Sequence, residues 1–434
     1  MKTINYRTFF GFVIPSVIAF ALSGIYAIVD GFFVGNTIGD AGLSAINIAY
    51  PIVAVLQSVG TGIGMGGAVY YSIKAAEGDR KKSGEFVAAS WWLLLISSVV
   101  LTVITFFTAN PLLKILGAQG TVLEYGVEYV KIIAVGASLQ ILGTGLVPFI
   151  RNYGGSFWAM FAMLGGFVTN IVLDYLFVWV YEMKMTGAAV ATIVGQGVTM
   201  IIAIVYSLVK KSFFLHVSKG GFKALCKDVF KVGLAPFGLS LTPNISLVLI
   251  NRFSSTYGGE KAIATYACIS YIICIIYLVL QGVGDGSQPL MSRCYGERKS
   301  KDLAKVQKMA YSFALVLALI GCAAMFFGRH HIGKLFGSSD EVNTEIAKII
   351  PIFLISVPFV AVTRITTAGF YATEKAVLSY VLTFIEPILM LLFMLVLPKL
   401  FGGQRMIWWS TVFARIVSAV LAFILAERQR LSVM

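Results

Sequence analysis

The sequence predicts an all-α, polytopic membrane protein with twelve transmembrane helices in two pseudo-symmetric six-helix lobes. Three observations carry this. Of the 434 residues, 58% are hydrophobic and only 12% charged, with a mean hydropathy of +0.86, whereas a soluble domain carries about 25% charged residues. The apolar residues gather into twelve segments, and a bilayer crossing takes roughly 20 of them. The Lys and Arg residues fall mostly in short loops between those segments, where cytoplasmic loops are positive. The net charge of +14 is therefore read as membrane topology, and nucleic acid is not an expected partner.

The segments are 9–34, 43–71, 86–109, 125–149, 158–181, 187–209, 232–251, 262–288, 309–328, 346–370, 377–398 and 406–427. The first lacks a convincing small-residue cleavage site, so it is expected to remain as a helix. With both termini cytoplasmic, 22 of the 34 Lys and Arg residues fall inside, among them Arg151 in the third inside segment; 8 fall outside and 4 within spans. That asymmetry supports an even number of spans. The basic stretch 210–231 is the expected cytoplasmic linker between an N-lobe, 1–209, and a C-lobe, 232–434.

The halves look related. VIPSVIAFALSGIYAIVDGFFVGNTIGDAGLSAINIAY lies on GLAPFGLSLTPNISLVLINRFSSTYGGEKAIATYACISY at an offset of 221, pairing Pro15 with Pro236, Asp30 with Asn251 and Tyr50 with Tyr271. VLQSVGTG (55–62) echoes VLQGVGDG (279–286) if an insertion is allowed, and KII recurs at 131–133 and 348–350. Six spans per half give both copies one orientation. Such repeats mark transporters, with the substrate site between the halves.

Carboxylates inside spans are costly, from about 2.5 kcal/mol upward, so they should face the bundle interior or a water-filled cavity. Asp30 lies in the outer third of span 1. In span 5, NIVLDYLF places Asn170 and Asp174 four residues apart on one helix face. Span 6 returns through GAAVATIVGQ with Thr192 in its outer third. Asp30, Asn170, Asp174 and Thr192 thus share one layer. Two neighbouring buried carboxylates cannot both stay ionised cheaply. The expectation is a cation site that holds H⁺ or Na⁺ on these oxygens. The alternative is that each acid only braces its helix.

The second half differs. Span 11 carries Glu386 and span 12 carries Arg415, both near the midplane. An ion pair between them would be structural; held apart, Glu386 becomes an anionic contact for a cationic substrate. Asn251 and Asn244 are further candidate substrate contacts. Arg364 lies deep in span 10. Asp285, beside glycines in GVGDGSQP, suits packing or gating. Pro15 can bend span 1 and so move Asp30. GTGIGMGG (60–67) is a close-packing stretch, since no GK[ST] follows it. The 14 methionines are read as core or lipid-facing filler, or as the lining of an adaptable cavity. The five cysteines show no metal-ligand spacing, and His216, His330 and His331 lie in loops. No catalytic set or cofactor is expected, and the protein is not read as an enzyme.

IPSVIAFALSGIYAIVDGFFVG, GFVTNIVLDYLFV, GAAVATIVGQ and VLQGVGDGSQPLMSRCYGE resemble the multidrug and toxic compound extrusion (MATE) family, in its MepA-like branch, over essentially the whole chain. The resemblance implies a secondary antiporter of the cell membrane that exports cationic amphipathic drugs against H⁺ or Na⁺ by alternating access. It implies that Asp30, Asn170, Asp174 and Thr192 are the N-lobe cation-site positions and that Pro15 is the bending proline. Some branches carry an acid in helix 7; SLTPNISLVLINR has none, which shifts weight to the N-lobe. The partners implied are small-molecule drugs and membrane lipid, with the chain acting as a monomer. The rival reading is a flippase of lipid-linked or polysaccharide precursors, with Arg364 and Arg415 holding phosphates. A membrane-embedded enzyme or a channel is weaker still.

Overall fold

The computed structural model describes residues 4–212, 214–218, 221–335 and 339–431. Lys2 and Lys219, which count towards the charge asymmetry, lie outside these residues. Among the described residues every regular element is a helix: α1 (Tyr6–Thr37), α2 (Asp40–Glu77), α3 (Arg80–Ile115), α4 (Gly120–Val135), α5 (Ala137–Asn152), α6 (Ser156–Asp174), α7 (Lys184–Val209), α8 (Phe222–Tyr257), α9 (Gly259–Gly296), α10 (Ser300–Gly328), α11 (Ile332–Leu335), α12 (Asp340–Ala372), α13 (Ala376–Phe401) and α14 (Gln404–Leu431). A π-helical turn, Tyr175–Val180, continues α6. Helices are the form that lets an apolar chain satisfy its own backbone where water is absent.

Among the described residues, eleven helices are each long and apolar enough to cross a membrane. α4 and α5 supply the twelfth crossing as a pair bent by 60°. The sequence reads 125–149 as one span; the structure breaks it at Gly136. A Cβ there would sit 2.4 Å from Ile193 Cγ2 on α7, so the bend presses bare backbone onto α7. Side-chain caps open α1 and α3. Asn5 accepts from Thr8 N at 2.8 Å, and Asp79 from Lys82 N at 2.9 Å.

The internal repeat runs the full length of the chain. Arg80 and Ser300, Gly120 and Asp340, Ser156 and Ala376, and Lys184 and Gln404 open helices 220 residues apart. Left-handed turn residues recur at the same spacing: Gly39 and Gly259, Gly78 and Arg298, Gly154 and Glu374, Glu182 and Gly402. The buried face of α1 (Phe9, Val13, Pro15, Ser16, Ala19) falls on that of α8 (Val229, Gly233, Ala235, Pro236, Leu239) at 220 as well. The offset of 221 expected from the sequence is therefore displaced by one residue. Ile250, not Asn251, stands opposite Asp30. The VLQ and KII echoes, at spacings of 224 and 217, are out of register.

In the true register no insertion is needed, and Gly62, Gly64 and Gly66 of α2 match Gly282, Gly284 and Gly286 of α9. The outer two glycines of each triplet face the other half. Cβ atoms at Gly62 and Gly66 would lie 2.9 Å from Gly233 O and 2.2 Å from Val229 O on α8. Those at Gly282 and Gly286 would lie 2.8 Å from Val17 Cα and 2.9 Å from Val13 Cα on α1. The middle glycines face their own half: Gly64 would meet Gly145 O of α5 at 2.0 Å, and Gly284 meets Ala368 Cβ of α12 at 3.3 Å. Small residues let helices approach this closely in membranes.

These cross-contacts run from Gly296 against Ile73 to Gly24 against Ile275. They occupy the middle and the basic end of the bundle. Towards the Asp30 end no such glycine contact joins the halves among the described residues, and Tyr50 of α2 and Tyr271 of α9 are 47% and 39% exposed. Of the stretch 210–231, the residues from Phe222 onward belong to α8. The loop before it docks on the first half: Trp92 Nε1 donates to Leu215 O at 3.1 Å, and Tyr153 OH donates to Ser212 O at 3.1 Å.

Candidate cation site and the contact between the halves

The candidate site is built on a backbone-to-backbone contact. A Cβ at Gly166 of α6 would lie 2.8 Å from Gly195 O of α7, and one at Gly195 would lie 2.7 Å from Gly166 O. This closeness carries Asn170, one turn on, against Thr192. In the amide orientation that satisfies both of its ends, Asn170 donates to Asp174 Oδ2 at 3.0 Å and accepts from Thr192 N at 3.1 Å. Asp174, Asn170 and Thr192 are all buried.

Asp30 arrives from α1. Aromatic pairs hold α1 against α6: Tyr26 stacks on Phe167 at 5.1 Å, and Phe33 meets Tyr175 at 6.4 Å. The carboxyl groups of Asp30 and Asp174 meet as a pair. The Oδ1 atom of each is buried without a hydrogen-bond partner among the described residues. The chain leaves Asp174 through the π turn, a form often found at functional sites. Two touching carboxyls need a proton between them or a cation on them. The structure thus brings together all four oxygen-bearing residues expected from the sequence.

Three tyrosines that the sequence reading does not assign to the site surround the pair. Tyr129 of α4 reaches Thr192, and Tyr26 and Tyr50 border the acids. Tyr129 lies within a predicted span. No local motif singles it out.

The second half has no such layer. The equivalents of Asp30, Asn170, Asp174 and Thr192 are Ile250, Met390, Met394 and Val412, all 0% exposed. Asn251 is half-buried, and its Oδ1 has no hydrogen-bond partner among the described residues. Asn244 is half-buried on α8. Neither belongs to the acid layer. Glu386 is paired: Arg415 Nε donates to its Oε1 at 3.1 Å, Arg415 Nη1 donates to Ser356 Oγ at 3.3 Å, and the guanidinium lies 4.9 Å over the Tyr277 ring. This is the arrangement in which Glu386 is structural.

A second polar cluster ties the halves together at the basic end. Arg151 of α5, which the sequence reading places in an inside loop, is 4% exposed and forms an ion pair with Asp285 of α9 at 3.5 Å. Tyr371 OH and Gln281 Nε2 donate to Asp285 Oδ1 at 3.0 and 2.7 Å. Beside them Ser72 Oγ donates to Asn152 Oδ1 at 2.6 Å, and Asn152 Nδ2 donates to Gln288 Oε1 at 2.9 Å. Asp285, expected in packing or gating, is thus the anion that joins one half to the other.

Comparison with known proteins places this arrangement. A family model described as MatE matches residues 15–176 and 239–397. The chain is 27% identical over 433 residues to the multidrug export protein MepA of Staphylococcus haemolyticus, covering 99% of this chain and 95% of that protein. It is 25% identical over 439 residues to MepA of Staphylococcus aureus, covering 100% and 96%. A multidrug-resistance MATE transporter of the MOP superfamily, solved in an outward-facing conformation, superposes with a TM-score of 0.91 at 22% identity, covering 98% of this chain and 96% of that one. A MOP-superfamily transporter from Pyrococcus furiosus matches with the same score, identity and coverage.

Proposed function

Since the chain belongs to the MatE family of multidrug exporters, we propose that it is a secondary antiporter that exchanges cationic amphipathic compounds for H⁺ or Na⁺. The observation that carries this reading is the contact of Asp30 with Asp174. Each presents an orphan Oδ1, and Asn170 and Thr192 stand beside them. A proton or a sodium ion taken from the Asp30 end of the cleft lowers the negative charge of the pair by one and relieves the repulsion between the two carboxyls. Pro15 is the point at which we assign a bend in α1. The bend alters the cleft wall, and the drug leaves. The ion shifts the two states only by its differential affinity for them.

The energetics are sufficient. One charge crossing 100 mV supplies about 2.3 kcal/mol. At about 1.4 kcal/mol per factor of ten, that sustains roughly a forty-fold drug gradient. We place the protein in the cell membrane as a monomer, with both termini cytoplasmic. The flippase reading rests on Arg364 and Arg415 as phosphate holders; Arg415 is paired with Glu386, which leaves Arg364 alone for that role.

The test is ethidium efflux from cells expressing the wild type, Asp30→Asn or Asp174→Asn at equal levels, with the Na⁺ and pH gradients varied separately. Both variants are expected to lose efflux, and the gradient that drives the wild type names the ion. Wild-type efflux from both variants would reduce the acid pair to a brace.

A further inference from the structure

Three arginines lie among the helices of the central cluster, and two are neutralised. Arg151 has Asp285, and Arg415 has Glu386. Arg364 of α12 has neither. Its Nη1 donates to Gln281 Oε1 at 3.1 Å and to Leu239 O at 3.4 Å, both neutral acceptors. Among the described residues no carboxylate lies within 4.0 Å of it. The two acids whose field it feels, Glu386 and Asp285, are those already engaged by the other arginines. The cluster therefore holds three guanidinium cations and two carboxylates, and the surplus charge resides on Arg364.

A charge left over in a membrane interior faces water or a ligand that completes it. Arg364 is only half-buried, whereas Arg151 and Arg415 are buried. Its two acceptors sit beside the contacts between the halves: Gln281 precedes Gly282, which lies against Val17 of α1, and Leu239 follows Phe237, which lies against Gly62 of α2. Arg364 therefore stands beside the seam between the halves, where repeat transporters hold their substrates.

We propose that Arg364 is an oxyanion-binding residue of the substrate cleft. It receives a carboxylate or phosphate carried by an amphiphile, so that zwitterionic amphiphiles are bound along with purely cationic ones. A guanidinium suits this task because its planar fork matches a carboxylate or phosphate with two parallel hydrogen bonds. Gln281 and the Leu239 carbonyl hold one nitrogen and fix the plane, leaving the remaining donors for the ligand. The transport of such compounds rests on the exporter reading; the binding site does not.

The test uses rhodamine B, which carries a free carboxylate, and its ethyl ester, which does not. Binding of each to the purified full-length protein is measured by fluorescence anisotropy for the wild type, Arg364→Gln and Arg364→Lys. Arg364→Gln is expected to weaken rhodamine B about ten-fold and to leave the ester unchanged. Arg364→Lys, which keeps the charge and loses the fork, should fall between. Repeating the measurement in phosphatidylcholine nanodiscs with and without phosphatidylglycerol separates the two sources of oxyanion. Competition by phosphatidylglycerol in the wild type but not in Arg364→Gln assigns the site to lipid phosphate as well; no competition assigns it to the carboxylate of the dye. Equal losses for both dyes, no loss for either, or ester binding without acid binding would each overturn the proposal. Efflux of the ester from cells reads the exporter function separately. Arg364-dependent binding without efflux would sink the exporter reading and leave the site standing.

Discussion

Arg151 and Tyr371 occupy equivalent positions in the two halves, 220 residues apart, and both hold the same carboxylate, Asp285. A symmetric pair of positions thus converges on one acid of the second half, whose counterpart in the first half is Met65.

Asp285→Ala leaves the Arg151 charge buried among helices with no partner. Removing one member of such a pair costs about 3–5 kcal/mol, whereas replacing both by apolar residues is often neutral. We expect Asp285→Ala to lower the melting temperature of the purified protein, and Arg151→Met with Asp285→Leu to recover most of the loss. A double variant no more stable than Asp285→Ala would place the cost in the hydrogen bonds of Tyr371 and Gln281.

Tyr129→Phe removes a hydroxyl beside Thr192 without touching either acid. Loss of one such hydrogen bond costs about 1 kcal/mol, which corresponds to about five-fold in affinity. Drug efflux should persist, with the half-saturating concentration of the coupling ion raised by about that factor. Efflux measured against graded ion concentrations checks it.

The glycine triplets differ in tolerance. Gly64→Ala drives a methyl group to 2.0 Å from Gly145 O, a backbone atom that cannot move aside. Gly284→Ala brings one to 3.3 Å from a methyl group. Overpacking typically costs about 1–3 kcal/mol. Gly64→Ala should unfold at lower temperature and elute partly as aggregate, while Gly284→Ala behaves as wild type.

An acid placed in the second half should not replace the first. Asn251→Asp in the Asp30→Asn background lacks a facing acid, because Met394 stands where Asp174 has its counterpart. Ethidium efflux should remain absent. Restored efflux would mean that the second half holds a cation site of its own.

Much of this was open to reading from the sequence. Helix number follows from apolar length, and the acid layer follows from counting depth along spans 1, 5 and 6. Register did not follow. The VLQ echo matched letters across a shift of four residues, about one helical turn, so chance identity in apolar sequence outweighed the true Gly-x-Gly-x-Gly match. Pro15 and Pro236 likewise align by identity yet differ by one position in the buried face. Arg151 counted as a loop cation because it lies next to a turn. That it folds back to an acid 134 residues away is a tertiary fact with no local signature. The bend at Gly136 depends on Ile193 of another helix, and the pairing of Glu386 depends on the angle between α13 and α14.

The glycines at 62, 66, 282 and 286 carry a last implication, for how fast this molecule works. Where two helices mesh through side chains, each knob must be lifted out of its hole before one helix can turn against the other. At these four crossings the nearest atoms are mostly backbone or the first carbon of a side chain, a bearing and not a latch, so a turn of one helix against the other would have no long side chain to unseat there.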